Sequence, residues 1–151
     1  MIDTRPVTDA LVALLTAASG KPVGKGTRPD GADSLSHYYI VYFITRTTTG
    51  APFTDLNEDA ELTYQVTSVS GPDPATPGSF GTQSQLQWLD DTARRAILER
   101  DPFTRAWTHP MTIPGARVTG RRPAGEQGES PDAADAIMSS AQRFTISVSS
   151  P

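Results

Sequence analysis

Cysteine is absent from the 151 residues. Disulfides, thiolate metal ligands and cysteine nucleophiles are therefore excluded together. Histidine is scarce as well: His37 and His109 are the two imidazoles, too few for a histidine-rich zinc or iron centre. No apolar stretch approaches the ~20 residues that cross a bilayer. The opening residues Met1-Ile-Asp-Thr-Arg-Pro6 lack the basic stretch and apolar run of a secretion signal. The expectation is a protein kept inside a cell, or built into an assembly there. Basic residues do not dominate either: 13 Lys and Arg against 17 Asp and Glu give a net charge of −4, where a general nucleic-acid binder presents a basic face.

What the chain does have is loop chemistry. Its 12 glycines and 13 prolines exceed ordinary usage but stay below the roughly 25–30% that marks low complexity. The length fits one domain spanning residues 1–151, since domains cluster near about 100–150 residues.

Periodicity locates the regular elements. Val7, Ala10, Leu11, Leu14, Leu15 and Ala18 recur at the spacing of one helical stripe, with Pro6 expected at the first helical position and Gly20 at the stop. Residues 20–36 read as a long loop. His37 to Arg46 is dense in aromatic and β-branched residues on both alternating sets, the pattern of a strand covered on both faces. Residues 47–59 are a polar connection. Glu61 to Ser70 alternates, with Leu62, Tyr64 and Val66 on one side. After a breaker-rich loop, Thr82-x-x-Gln85 has the form of a capping box. It opens a helix striped by Leu86, Leu89, Ala93, Ala96 and Ile97, which Pro102 is expected to close. Ala116 to Thr119 is a candidate short strand, and residues 121–135 read as a loop or mobile arm. Arg143 to Ser149 is a half-buried final strand through Phe144, Ile146 and Val148. The order implies an α+β fold: two helices packed on a mostly antiparallel sheet, with long loops.

Chemical motifs fail on inspection. Gly20-Lys-Pro-Val-Gly-Lys-Gly26 lacks the spacing, the Ser or Thr, and the preceding strand of a phosphate loop. Asp55-Leu-Asn-Glu-Asp59 opens like a calcium loop, but Ala60 and Val66 stand where glycine and glutamate are required. Gly78-Ser-Phe-Gly81 is not a nucleophile elbow. His37 and His109 read as strand-end or surface residues. Arg94-Arg95, Arg121-Arg122 and Arg143 are isolated basic spots among acids, short of the continuous stripe that nucleic-acid binding requires. No catalytic residue, cofactor or metal ligand is expected. The long connections between short elements, uncommon in compact domains unless functional or ordered by a partner, favour an assembly subunit over an enzyme.

Four segments in order resemble a known family. They are the amphipathic helix Val7–Ala18, the aromatic strand Tyr38-Tyr-Ile-Val-Tyr-Phe43, the run Asp59-Ala-Glu-Leu-Thr-Tyr-Gln-Val-Thr-Ser-Val69 leading to Gln85-Leu-Gln-Trp-Leu-Asp-Asp-Thr-Ala-Arg-Arg-Ala-Ile-Leu98, and the closing Gln142-Arg-Phe-Thr-Ile-Ser-Val148. This layout is similar to that of the tail terminator proteins of long-tailed, siphovirus-type bacteriophages, especially those of actinobacterial hosts. The resemblance implies a structural virion protein assembled in the host cytoplasm: a ring, commonly a hexamer, at the head-proximal end of the tail tube. Its partners would be further copies of itself, the tail tube protein and a head-completion or neck protein. DNA would pass through without specific binding, and no membrane would be involved. A bore for DNA suits carboxylates that repel phosphate; Asp55, Glu58, Asp59 and Glu61 are the candidate lumen-facing group. Alternatives are another neck component, such as a head-closure protein, or a small ligand- or peptide-binding module.

Overall fold

Val7, Leu11, Leu14 and Leu15 are buried along one side of α1 (Thr4–Ser19) in the computed structural model, which describes residues 2–29, 36–49, 58–73, 75–76, 78–79, 81–132 and 137–150. The helix begins earlier than its apolar stripe, so Pro6 occupies the third helical position rather than the first. Both are tolerated, because N–H groups of the first turn have no acceptor within the helix. Gly20 ends α1 as expected, in the left-handed conformation (φ 69°), with its N–H on Thr16 O at 3.0 Å.

The segment read as a loop from 20 to 36 contains a short strand, β1 (Val23–Lys25). Three residues with a central glycine carry no periodic signal. Gly24 is required by close approach: a Cβ there would lie 2.0 Å from the Thr27 carbonyl oxygen. The long strands β2 (His37–Thr49) and β3 (Asp59–Ser70) run antiparallel, with Val41 opposite Val66. A bulge at Ile44, between the pairs Phe43–Tyr64 and Thr45–Thr63, resets the alternation of β2. α2 (Gln83–Leu98) starts at Thr82, whose side chain accepts the Gln85 N–H at 3.2 Å. The Thr82 N–H is satisfied by Ser70 Oγ at 3.2 Å instead of by Gln85, so α2 is tied to the end of β3. α2 stops at Leu98, ahead of the expected Pro102.

The largest correction concerns residues 121–135. Residues 121–132 belong to a strand, β4 (Arg117–Asp132), paired antiparallel with β5 (Ile137–Ser149); residues 133–135 lie outside the described set. β4 is an edge strand with register shifts between Val118 and Gly120, Pro123 and Gly125, and Glu126 and Gly128. Proline and glycine are tolerated at an edge, where one side of the strand has no ladder to serve, and bulges erase the period-two pattern. Composition that reads as loop is here the composition of a protected edge.

The sheet order is β1-β2-β3-β5-β4, with β1 parallel to β2 and all other neighbours antiparallel. The fold is thus α+β with a mixed, mostly antiparallel sheet. Both helices pack on one face. There Leu62, Tyr64 and Val66 of β3 join Phe144, Ile146 and Val148 of β5, and the two helices contribute Leu11, Leu15, Leu89 and Ile97. Two core tyrosines hold the layers together: Tyr39 Oη donates to Leu89 O at 2.6 Å, and Tyr64 Oη shares a 2.9 Å hydrogen bond with Thr8 Oγ1. Burial pushes the Tyr64 hydroxyl up to about 12 and raises that of Tyr39 as well, so both stay protonated as their hydrogen bonds require.

Candidate binding cleft

The helix-facing side of the sheet changes character along its length. Where the core lies it carries Leu62, Tyr64, Phe144 and Ile146; toward the start of α2 it carries Ser68, Ser70, Ser140 and Gln142, all buried. Small polar side chains bring helix and sheet together without apolar filling, so they must be satisfied by hydrogen bonds. Ser70 accepts from the α2 cap, and Gln142 Nε2 donates to Asp90 O at 3.0 Å. Ser68 Oγ and Asp90 Oδ1 are buried with no hydrogen-bond partner.

Beside this seam a cleft of about 460 Å³ opens between α2 and the β4–β5 hairpin, lined by Gln87, Asp90, Asp91, Arg94, Glu126, Ser140 and Gln142. Arg94 and Glu126 form an ion pair between helix and β4. Three carboxylates against one guanidinium leave the lining anionic, which favours a cationic guest. Exposed Trp88, at 43%, belongs to a second recess of about 300 Å³, lined also by Ala18, Thr92, Arg95, Ala96, Glu99 and His109, with Lys21 Nζ 5.7 Å from the Trp88 ring centre.

Beyond α2 the chain makes a compact turn. Arg100 and Trp107 pair as a bridge, Asp101 N–H donates to Ala106 O at 2.8 Å, and Arg105 N–H donates to Asp101 O at 2.9 Å. Asp101 Oδ1 accepts from the N–H groups of Phe103 and Thr104 at 2.8 and 2.9 Å, which holds its carboxyl below the usual range. Arg105 takes a left-handed φ of 63°. At the base, Trp107 is flanked by two guanidiniums, Arg100 at 3.8 Å and Arg121 at 4.5 Å from the ring centre. Arg121 is buried, donates to Ile97 O at 3.2 Å, and leaves Nε and Nη2 without partners. Desolvation, with Arg100 beside it, lowers its pKa to about 10.

Of the four carboxylates singled out in the sequence, Asp55 lies outside the described residues. Glu58 accepts from Arg46 Nη2 at 2.6 Å and from the Ile2 N–H at 3.0 Å. Glu61 binds Arg122 through two bonds of 3.0 Å. Asp59 is exposed at the start of β3. Glu58 and Glu61 are therefore engaged by arginines. His37 begins β2 as expected of a strand-end histidine, with Nδ1 buried and unpartnered; burial lowers its pKa. His109 lies in the Trp88 recess. Among the described residues no group of three or more His, Asp or Glu side chains is arranged to hold a metal ion, and no helix is long and apolar enough to cross a membrane. Asp90 and Asp91 are adjacent on α2. Glu126 joins them only through the pairing of β4, which composition concealed.

The molecule is thus a two-layer α+β protein with both helices on one face of its sheet and an anionic cleft at the edge of that layer. No family model matches the chain, and no curated protein matches it.

Proposed function

We infer that this chain is a structural subunit of a long-tailed bacteriophage: a tail terminator that closes the head-proximal end of the tail tube as a ring and joins it to the neck. The observation that carries this reading is the one-sided sheet. The helices cover one face, and the other carries a polar lattice of Thr63, Gln65, Thr145 and Arg143, tied by a 2.9 Å Thr63–Thr145 bond and a 3.3 Å Arg143–Gln65 bond, beside a small buried cluster of Tyr38, Ile40 and Val69. A ring subunit needs unlike surfaces for its neighbours, the tube and the neck, and a heterologous contact that closes supplies them. Paired side chains across that lattice leave few free charges for DNA to adhere to. The arginine partners of Glu58 and Glu61 moderate the proposed repulsion of DNA at those two positions.

The head-closure alternative would be favoured by a barrel without packed helices, and two helices on an open sheet favour the terminator instead. A ligand- or peptide-binding module would draw on the 460 Å³ cleft and would be a stable monomer with no affinity for tube protein. The test is to block production of this chain in a phage that encodes it and image the particles by electron microscopy. Tails of abnormal length, unattached to heads, are expected; normal tails on normal heads overturn the reading.

A further inference from the structure

Arg121 carries a charge that no carboxylate among the described residues offsets. It is 7% exposed, and burial beside Arg100 lowers its pKa only to about 10, so it stays cationic at neutral pH. A buried charge is ordinarily paired with one of opposite sign. Arg121 forms no ion pair among the described residues, and neither does Arg100, its neighbour on the Trp107 ring. The acid next to Arg100, Asp101, turns its Oδ1 to the N–H groups of Phe103 and Thr104 instead. The uncommitted donors of Arg121 also share a direction. Nη1 donates to Ile97 O at 3.2 Å, while Nε and Nη2 are buried without partners. The Nε–H and the Nη2–H beside it are parallel, and that edge of a guanidinium grips a carboxylate or phosphate through two hydrogen bonds. The Trp107 ring, 4.5 Å from Arg121, is a weak acceptor with no net charge to offer.

We propose that the Nε–Nη2 edge of Arg121, with Arg100 beside it and Trp107 as the wall, binds a free tetrahedral dianion, hydrogen phosphate or sulfate. Two guanidinium charges match a dianion, whereas a carboxylate or a phosphodiester would offset one of them. Enclosure selects a small ion over a phosphate carried on a larger molecule. Arg100 is exposed, so its side chain is the movable part of the enclosure: it swings off Trp107 to admit the ion and closes on the outer oxygens. The site draws on three segments, the end of α2 at Ile97, the turn with Arg100 and Trp107, and Arg121 of β4. It goes beyond the tail reading and does not depend on it.

The test uses the full chain carrying Trp88→Phe, an exposed position, which leaves Trp107 as the sole indole. Inorganic phosphate and sulfate are titrated near neutral pH at fixed ionic strength. Each is expected to change the Trp107 emission saturably and to raise the thermal midpoint, as a ligand of the folded state does. Chloride, acetate and dimethyl phosphate are expected to do neither, and glycerol phosphate to bind more weakly than phosphate. Arg121→Lys keeps the charge and loses the fork, so phosphate binding should weaken by about tenfold or more. Arg100→Gln should weaken it similarly, and because its side chain is exposed this variant serves even if Arg121→Lys fails to fold by circular dichroism. Arg105→Gln, an exposed cation of the same turn, should bind as the parent does. The assignment is overturned by any of four results: no saturable response to phosphate, an equal response to acetate or chloride, tighter binding of glycerol phosphate, or Arg100→Gln binding as the parent does. Equal weakening by Arg105→Gln would also overturn it, as general attraction to a basic turn.

Discussion

Ile146 and Thr145 are neighbours on β5, both nearly inaccessible to solvent at 0% and 4% exposure, and they face opposite sides of the same sheet. Ile146 sits in a continuous apolar cluster supplied by three strands and two helices. Thr145 sits in a polar lattice, its hydroxyl bonded to Thr63 at 2.9 Å. Equal burial therefore stands for unequal stabilisation. The helix-covered face contributes removal of apolar area from water, which accumulates with every methylene. The polar lattice on the helix-free face exchanges hydrogen bonds with water for hydrogen bonds between side chains, a nearly balanced trade. The larger apolar cluster lies on the helix-covered face, and the other face carries the smaller buried cluster of Tyr38, Ile40 and Val69 beside its polar lattice.

Truncation on the two faces gives the sharpest contrast. Ile146→Ala is expected to cost about 2–5 kcal/mol, since it removes transfer energy and leaves a cavity that rigid neighbours do not fill. Urea unfolding monitored by circular dichroism, with an unchanged slope, is the measurement. Thr145→Ala should cost only about 0.5–1.5 kcal/mol, the net value of one hydrogen bond; a loss equal to that of Ile146→Ala would break the comparison. Between these falls Tyr39→Phe. It keeps the ring in the core but removes the donor to Leu89 O, with an expected loss of about 1 kcal/mol.

The smallest effect concerns the carboxylates at the margin of the sheet. Glu58 is held below the ordinary value of 4.5, first by the Ile2 N–H and then by Arg46, and Glu61 is held low by Arg122. A carboxyl with a depressed native pKa binds protons less readily folded than unfolded, so its contribution is complete above the unfolded value and fades as pH falls from there through the native value. The urea midpoint of wild type should therefore decline below about pH 4.5, and Glu58→Gln should make that decline shallower. Identical acid limbs for the two proteins would show that the Arg46–Glu58 pair adds nothing to the fold.

The cleft and the turn extend the contrast to residues whose positions no local pattern reveals. Leu86, Leu89, Ala93, Ala96 and Ile97 announce α2 because each must lie on one stripe. Phe144, Ile146 and Val148 announce β5 by alternation. Glu126 has no such obligation: it lies on a bulged edge strand where glycine and proline interrupt the pattern, and it reaches Arg94 only because β4 pairs with β5. Arg121 was legible as one charge of a dipeptide. Its burial beneath Trp107 depends on the return of the chain after α2.

The sequence by itself determined the two helices, their caps at Thr82 and Gly20, the buried sides of β3 and β5, and the α+β class, because periodic burial and backbone capping are local constraints written in adjacent residues. It also determined, through the missing cysteines, that no thiol chemistry is possible. Tertiary structure alone decided that both helices share one face of the sheet and that residues 121–132 are an edge strand. It also decided that Glu58 and Glu61 are bound by arginines distant in sequence, and that α2, β4 and β5 enclose an anionic cleft. Those outcomes depend on which strands become neighbours, a choice made by the packing of the whole sheet rather than by any segment of it.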